Sequence, residues 1–262
     1  MIPFRDFRNS LQNPRKTADA WYGKWIMRRV SIYVTWLFVR LGLGPNLVTF
    51  LSLLFALMGI ASLAAGKFGI GILALNFWYL LDHVDGELAR LRNVSSLSGT
   101  FFDTVINFLV QPFTFLGWSI GLAPQMGWQT LFWGMAAASG SLMLMAIPMT
   151  EEAVLFNQSI KTKVTFQRSA APNSLGIEKE RSIFRRIYGF IHTLVTYPWV
   201  LVFMTLECLI FLIIKNNSLV YVFSYRFLIL YAFLATVVWI SQLVYKVYFQ
   251  TLDRSWKPVS GI

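Results

Sequence analysis

The sequence feature that most limits the possible folds is a series of long apolar runs. Residues 46–66 contain no charged side chain, and about 20 mostly apolar residues are enough to cross a bilayer as a helix. Of the whole chain, 56% is hydrophobic and 13% is charged, whereas soluble domains carry about 25% charged residues. These values exclude an ordinary soluble fold. The sequence predicts an all-α integral membrane protein with six transmembrane helices, at about residues 46–66, 68–92, 99–122, 128–149, 192–214 and 219–249.

The segment before the first run is predicted to contain an interfacial amphipathic helix. Lys24, Arg28, Ser31 and Thr35 fall on one stripe of a helix, and aromatic and aliphatic side chains fill most of the remaining surface. Such a helix suits the plane of the membrane interface. A seventh, tilted span is the alternative, which Arg28 and Arg29 disfavour because arginines are costly inside a bilayer. The predicted organisation is an N-terminal segment (1–45), a six-span domain (46–249) with a basic loop at 150–190, and a C-terminal tail (250–262).

Basic residues are distributed unevenly between the two ends of the predicted spans. The formal net charge is +11, and of the 23 lysines and arginines only Lys67, Lys215 and Arg226 fall on one side. Basic loops usually face the cytoplasm, so both termini and the basic loop are predicted to be cytoplasmic, in a cell inner membrane. In a chain this apolar, the positive charge suits membrane lipids or a phosphorylated substrate. No nucleic-acid partner is expected.

Polar side chains cluster where the second predicted span ends and the third begins. Residues spaced i, i+3, i+4 and i+7, or i, i+4 and i+8, share one face of a helix. A short turn between the two spans makes them antiparallel neighbours, so that two such polar faces converge. The residues on these faces are Asp82, Asp85, Gly86 and Ala89 in the second span, and Gly99, Asp103 and Asn107 in the third.

Three converging carboxylates repel each other unless a cation lies among them. Asp82, Asp85 and Asp103 offer oxygen ligands without a His or Cys pair, which favours Mg²⁺ or Mn²⁺ over zinc. The glycines and the alanine on the same faces let a ligand approach the helix backbones, and Arg90 suits a phosphate. Together they predict a site for a diphosphate ester. The alternative is that the acids pair with Arg90 and Arg92 and cap the helices, which would not require glycines on those faces.

This spaced pattern resembles the signature of the CDP-alcohol phosphotransferase family, D-x2-D-G-x2-A-R-x8-G-x3-D-x3-D. Seven of its eight fixed positions match at the correct spacing. The eighth is Asn107, where the family has Asp. The segment 45–49 also looks like the P-N-x-[IV]-[TS] sequence that opens the family's first span. The resemblance covers residues 20–250, except for the basic loop.

The resemblance implies a usually homodimeric membrane enzyme of phospholipid biosynthesis with two Mg²⁺ or Mn²⁺ ions. It would move a phosphatidyl or other phospho-alcohol group from a CDP-alcohol, such as CDP-diacylglycerol, to an acceptor hydroxyl and release CMP. By position, Asp82, Asp85, Asp103 and Asn107 would hold the metal, and Asp82, Gly86, Ala89, Arg90, Gly99, Asn46 and Thr49 would bind the nucleotide. Basic residues that could read a small or phosphorylated alcohol acceptor are Arg28, Arg29, Arg168 and Arg185.

Asn107 occupies the position of the family's general base. An amide cannot take up a proton and adds no negative charge to a metal site. Three explanations stay open: an inactivated variant, a natural member that uses metal polarisation or another base such as His83, or a homologue that only binds nucleotide or lipid. An ion-coupled transporter is the alternative from another class, since acids inside a membrane also line cation pathways. The position of the acids near the cytoplasmic end of the second span disfavours it.

Three features lie apart from this cluster. Glu207, in the fifth span, is expected to be neutral or paired with Arg226 rather than to take part in the reaction. The small residues Gly134, Ala138 and Ser141 recur at about fourfold spacing in the fourth span, which suits either packing within the molecule or a dimer seam. The single cysteine excludes an intramolecular disulfide framework, a zinc cluster and an iron–sulfur site.

Overall fold

All the regular structure in the computed structural model is helical. The model describes residues 22–92, 96–162, 183–214 and 217–248. A π-helical turn, Gly23–Met27, leads directly into the first α-helix. The α-helices are α1 (Arg28–Arg40), α2 (Pro45–Ala64), α3 (Phe68–Leu91), α4 (Leu97–Met126), α5 (Gln129–Thr162), α6 (Ile183–Leu194), α7 (Tyr197–Ile214) and α8 (Asn217–Tyr248).

Four helices in the described part of the chain are long and apolar enough to cross a membrane: α2, α4, α5 and α8. The pair formed by α6 and α7, bent by 62° at a short break, gives a fifth candidate. Helix α3 coincides with the second predicted span but is not among these candidates, and its last turns carry the acidic cluster. The prediction of an α-helical integral membrane protein is confirmed. The count of six spans stays a prediction.

Helix ends follow from local chemistry near the acidic cluster. Gly44 is extended, and Pro45 occupies the first turn of α2, where its missing N–H would have no helical partner. Ser96 caps α4, because its Oγ accepts a hydrogen bond from the N–H of Gly99 at 3.0 Å. Helix α4 then runs on through Pro124 to Gly127, at φ +88°. The end predicted for the third span, at residue 122, is therefore too early, since the N–H of Gly127 still donates to the carbonyl of Ala123.

The core lies where α3, α4, α5, α7 and α8 meet. Trp78, Phe115 and Trp118 are its largest fully buried side chains, and the ring of Phe115 stacks on that of Tyr231 at 4.3 Å between centroids. The small residues of the predicted fourth span pack inside this core, where Gly134 faces α4 and lets the two backbones approach closely. This favours packing within the molecule over a dimer seam for these residues.

The N-terminal helix lies against α3 in an unexpected orientation. Ser31 and Thr35 are fully buried, and their hydroxyls donate hydrogen bonds of 2.8 and 2.6 Å to the carboxylate of Glu87. The interfacial position of this helix stays a prediction, but the part of its predicted polar stripe that holds these two residues faces Glu87 on α3. The reason is that a buried carboxylate needs donors. The exposed side of α1 carries apolar and aromatic side chains such as Tyr33 and Leu37 together with Arg29 and Arg40.

The predicted basic loop is shorter than 150–190. Helix α5 continues to Thr162, and α6 begins at Ile183, so both ends of the proposed loop are helical. Residues 163–182 lie outside the described part of the chain. An ion pair between Glu151 and Lys246 joins the second half of α5 to the last turn of α8.

Candidate active site

An open cleft of about 480 Å³ lies where α2 begins, α3 ends and α4 begins. The cleft contains most of the site residues predicted from the sequence. Its lining residues are Pro45, Asn46, Thr49, Asp85, Gly86, Ala89, Ser96, Gly99, Thr100 and Asp103.

Two helix N-termini open onto this cleft. The first turns of α2 and α4 supply Asn46, Thr49, Gly99 and Thr100 to its wall. Backbone N–H groups at a helix N-terminus have no helical acceptor and carry partial positive charge, which favours anions such as phosphate. The last turns of α3 bring acidic side chains to the same place. The cleft therefore combines sites suited to anions with carboxylates suited to a cation.

Asn107 connects the carboxylates of Asp82 and Asp103 beside the cleft. Its Nδ2 lies 3.4 Å from Oδ1 of Asp82 and 3.3 Å from Oδ1 of Asp103, and 3.1 Å from the carbonyl oxygen of Asp103. All three of these oxygens accept hydrogen bonds, so the NH2 group, and not the amide oxygen, faces the carboxylates. Asp103 lines the cleft, whereas Asp82 and Asn107 lie beside it.

Asp85 is held by a different helix. The hydroxyl of Thr49 donates a 2.7 Å hydrogen bond to its Oδ2, which links α2 to α3 across the cleft. Asp85 is only 8% exposed. A Cβ added at Gly86 would lie 3.2 Å from a guanidinium nitrogen of Arg90, so the arginine folds back over the glycine at the edge of the cleft. The charge of Arg90 is close enough to Asp85 to interact with it.

The chemical type of the acidic side chains suits a divalent cation. Three carboxylates face one another on two helices, and carboxylate oxygen is the ligand that Mg²⁺ and Mn²⁺ prefer. Within the described residues, however, no three such side chains have donor atoms close enough together to hold a metal ion as they stand. Hydrogen bonds from Asn107 and Thr49 occupy the carboxylate oxygens instead. Metal binding at Asp82, Asp85 and Asp103 would require these side chains to turn.

Among the remaining predicted residues that the structure describes, Arg28 and Arg29 are not part of the cleft lining. Arg28 is partly exposed and Arg29 exposed, on α1. Arg168 lies outside the described residues, as does the side chain of Arg185. His83 lies beside Asp82, with Nδ1 4.0 Å from Oδ2, and Nδ1 lies 2.8 Å from the carbonyl oxygen of Tyr79. Because a carbonyl oxygen only accepts, this nitrogen carries the proton, and the ring is held within its own helix.

Sequence reasoning missed two residues of the cleft. Ser96 and Thr100 line it, and Ser96 also caps α4. A serine immediately before an apolar helix is a recognised N-cap signal, which could have placed the helix start and its free N–H groups at this point.

The fold and the cleft define an α-helical membrane protein with an acidic site at the ends of three helices. The family model for CDP-alcohol phosphatidyltransferase matches residues 43–250. The solved structure of Mycobacterium tuberculosis phosphatidylinositol phosphate synthase with CDP-DAG bound superposes with a TM-score of 0.51, covering 88% of this chain and 96% of that one. The two sequences are 18% identical, so this likeness concerns the fold.

A curated relative matches a shorter segment. The bifunctional IPC transferase and DIPP synthase of Rubrobacter xylanophilus is 30% identical over 102 residues, which are 39% of this chain and 23% of that protein. The chain thus spans about a quarter of the length of this relative.

This chain belongs to the CDP-alcohol phosphatidyltransferase family. Membership confirms the resemblance read from the spaced motif. The ion-coupled transporter is not supported by these findings.

Proposed function

We propose that the cleft binds a CDP-alcohol, with CDP-diacylglycerol as the donor, and that its phosphatidyl group passes to the hydroxyl of an acceptor alcohol. The observation that carries this proposal is the composition of the cleft wall. Gly86, Ala89 and Gly99 leave the backbones of two helices open to a flat nucleotide. The N-termini of α2 and α4 suit the diphosphate, and Arg90 at the edge adds a fixed positive charge.

In the proposed reaction the acceptor oxygen forms a bond to the phosphorus that carries the diacylglycerol. The bond from that phosphorus to the CMP oxygen breaks, CMP leaves, and the acceptor hydroxyl loses its proton. The chain's own residues position the donor: Asn46 and Thr49 on one wall, Gly86 and Gly99 on the others. Transfer between two bound reactants gains from such positioning alone.

We propose Asp82, Asp85 and Asp103, with the amide of Asn107, as ligands of two Mg²⁺ or Mn²⁺ ions. When bound, these ions would supply positive charge that neutralises the diphosphate and the leaving CMP. Asn107 stands at the general-base position and cannot accept the proton of the acceptor hydroxyl. The chemical step of this chain is therefore proposed to be slow, while the nucleotide site is intact.

The acceptor is proposed to be a small or phosphorylated alcohol that enters from the cytoplasmic side. Its charge would be read by Arg28, Arg29, Arg168 and Arg185, of which Arg28 and Arg29 are described and do not line the cleft. The proposed arrangement in the cell inner membrane has six spans, with α3 as the second, and places both termini and the cleft on the cytoplasmic side. Helix α1 then lies at the interface. A homodimer is proposed on the resemblance alone.

The first test is binding of CDP with Mn²⁺, measured as thermal stabilisation of the purified full-length chain in detergent. We expect stabilisation in the wild type and its loss in Asp85→Asn, because this substitution removes a charge while keeping the shape of the side chain. Glu152→Gln is the matched control, since Glu152 is an exposed carboxylate on α5 away from the cleft. Stabilisation that survives Asp85→Asn would contradict the proposed site.

The second test is CMP release from CDP-diacylglycerol with Mn²⁺ and a panel of acceptors such as glycerol 3-phosphate, inositol phosphate and inositol. Release that depends on one acceptor identifies the substrate class. Nucleotide binding without release under any of these conditions would favour the homologue that only binds.

A further inference from the structure

A second cavity lies at the opposite end of the helix bundle from the cleft. It offers about 660 Å³ between the turn that joins α2 to α3, the middle of α4, and the facing ends of α7 and α8. Helix α3 begins at this cavity with Phe68 and ends at the cleft with Asp85 and Gly86. The two sites are therefore separated by most of the length of that helix. The residues that give the cavity its chemistry are Phe68, Trp118, Glu207, Cys208, Tyr221 and Ser224.

Glu207 is the one acidic residue of this lining. It lies in an otherwise apolar helix, where carboxylates are costly and usually functional. The buried hydroxyl of Ser224 donates a hydrogen bond to its Oε1. Within the described residues no lysine or arginine nitrogen lies within 4 Å of the Glu207 carboxylate. Of the two alternatives expected for this carboxylate, neutral or paired with Arg226, the pairing is not found among the described residues: Arg226 is exposed, and Ser224 contacts the carboxylate.

Aromatic side chains line the same cavity as this carboxylate. The rings of Phe68 and Tyr221 stand nearly perpendicular, at 72°, with centroids 5.8 Å apart, and Trp118 lines the same space. A carboxylate with several aromatic rings attracts organic cations, because the charge and the ring faces both favour a positive group that sheds its water. A hydrated metal ion would find one carboxylate here and few other oxygen ligands.

We propose that this cavity binds an organic ammonium group, held by Glu207 and the surrounding aromatic rings. The ammonium could belong to a zwitterionic lipid headgroup or to a free amine, and the chemistry of recognition is the same. The proposal is independent of the transferase reaction, since none of its residues lies in the cleft.

The single cysteine of the chain provides a direct probe. Cys208 lines the cavity next to Glu207 in sequence. We would measure its modification by a cationic thiosulfonate (trimethylammonioethyl) and an anionic one (sulfonatoethyl), using the full chain in neutral detergent at low salt. For each thiol we divide the rate of modification by the cationic reagent by the rate with the anionic reagent. We expect this ratio to be about tenfold higher for Cys208 than for 2-mercaptoethanol. Glu207→Gln should return the ratio to the reference value, and Glu152→Gln should leave it raised. Equal ratios in the wild type and Glu207→Gln would overturn the proposal.

Thermal stabilisation gives a second measurement that does not depend on thiol reactivity. Choline or tetramethylammonium, compared with sodium at equal ionic strength, should raise the melting temperature of the wild type and not that of Glu207→Gln. Stabilisation by free choline supports a site open to soluble amines. Stabilisation only in nanodiscs of phosphatidylcholine or phosphatidylethanolamine, and not of phosphatidylglycerol, supports a lipid headgroup. No effect of any ammonium compound on the wild type would overturn the proposal, whatever the reactivity of Cys208.

Discussion

The side-chain amide of Asn107 changes the electrostatics of the acidic site. Its NH2 group donates toward Asp82 and Asp103, so it reduces the repulsion between two carboxylates that would otherwise need a cation. An aspartate at this position would bring a third carboxylate to the same point. The asparagine therefore favours the metal-free arrangement and removes the group that could accept the proton of the acceptor hydroxyl.

The first prediction concerns this residue. Asn107→Asp should raise CMP release by at least about tenfold, a cautious share of the roughly 10²–10⁴-fold that general-base catalysis contributes, while nucleotide affinity changes much less. It should also raise the affinity for Mn²⁺, measured by titration calorimetry, and lower the melting temperature in the absence of metal. Asn107→Ala is the control, because it removes the amide without adding a carboxylate.

Two results would count against this account. If the asparagine form already turns over as fast as the aspartate form, another base operates. If Asn107→Asp remains inert with every acceptor although it binds CDP and Mn²⁺, then the general-base position does not limit the reaction.

At the scale of whole elements, the contact between α1 and α3 has a polar centre. Glu87 is buried, and it receives both of its side-chain hydrogen bonds from α1. Glu87 follows Asp85 by two residues, so the two side chains point to different sides of α3: Glu87 contacts α1, and Asp85 contacts Thr49 of α2.

Thr35→Val tests this contact. The substitution keeps the shape of the side chain and removes one donor to a buried carboxylate, and a hydrogen bond to a charged group contributes about 1.5–3 kcal/mol. The unfolding free energy in detergent should fall by that amount, and residues 28–40 should exchange amide hydrogens faster. Thr150→Val is the control, since Thr150 is exposed and its hydroxyl bonds the carbonyl of Ala146; it should change stability by less than about 0.5 kcal/mol. Equal effects of the two substitutions would contradict the proposed docking.

The contact between α1 and Glu87 also shows what could not be predicted from the sequence. The helices could be predicted from the apolar runs. The convergence of Asp85, Gly86 and Gly99 could be predicted from helix periodicity and the short turn between the two helices. A polar stripe such as that of Ser31 and Thr35 has the same pattern whether it faces water or a buried carboxylate, so its partner could not be predicted. The contact of Glu207 with Ser224 could not be predicted for a similar reason, since sequence distance does not say which side chains of two helices face each other.

At the scale of the whole molecule, the length of helix α5 bears on how the chain is oriented in the membrane. It has 34 residues, which corresponds to about 51 Å at 1.5 Å per residue. A bilayer with its headgroups is about 40–45 Å thick. If α5 crosses the membrane, its two ends must therefore reach opposite aqueous sides. Its second half, joined to α8 by the ion pair of Glu151 and Lys246, is on the side that we propose to be cytoplasmic.

Cysteine labelling in intact cells checks this orientation. In a Cys208→Ser background, Gln129→Cys, at the exposed start of α5, should react with an impermeant thiol reagent. Asn157→Cys, exposed near the other end, should react only after the cells are permeabilised. The reverse pattern would contradict the cytoplasmic placement of the cleft, and reaction of both in intact cells would contradict a span in α5.

Gly86 and Gly99 have no side chain and leave the helix backbone accessible, which bears on the development of inhibitors. A Cβ at Gly86 would lie 3.2 Å from a guanidinium nitrogen of Arg90, and one at Gly99 would lie 3.0 Å from the Oγ of Ser96. A compound that rests on these two glycines, as we propose the nucleotide does, contacts main chain that no substitution can remove. Any larger residue that blocked the compound would also crowd the donor and disturb the cap of α4, so drug resistance by mutation at this surface should carry a cost to the enzyme itself.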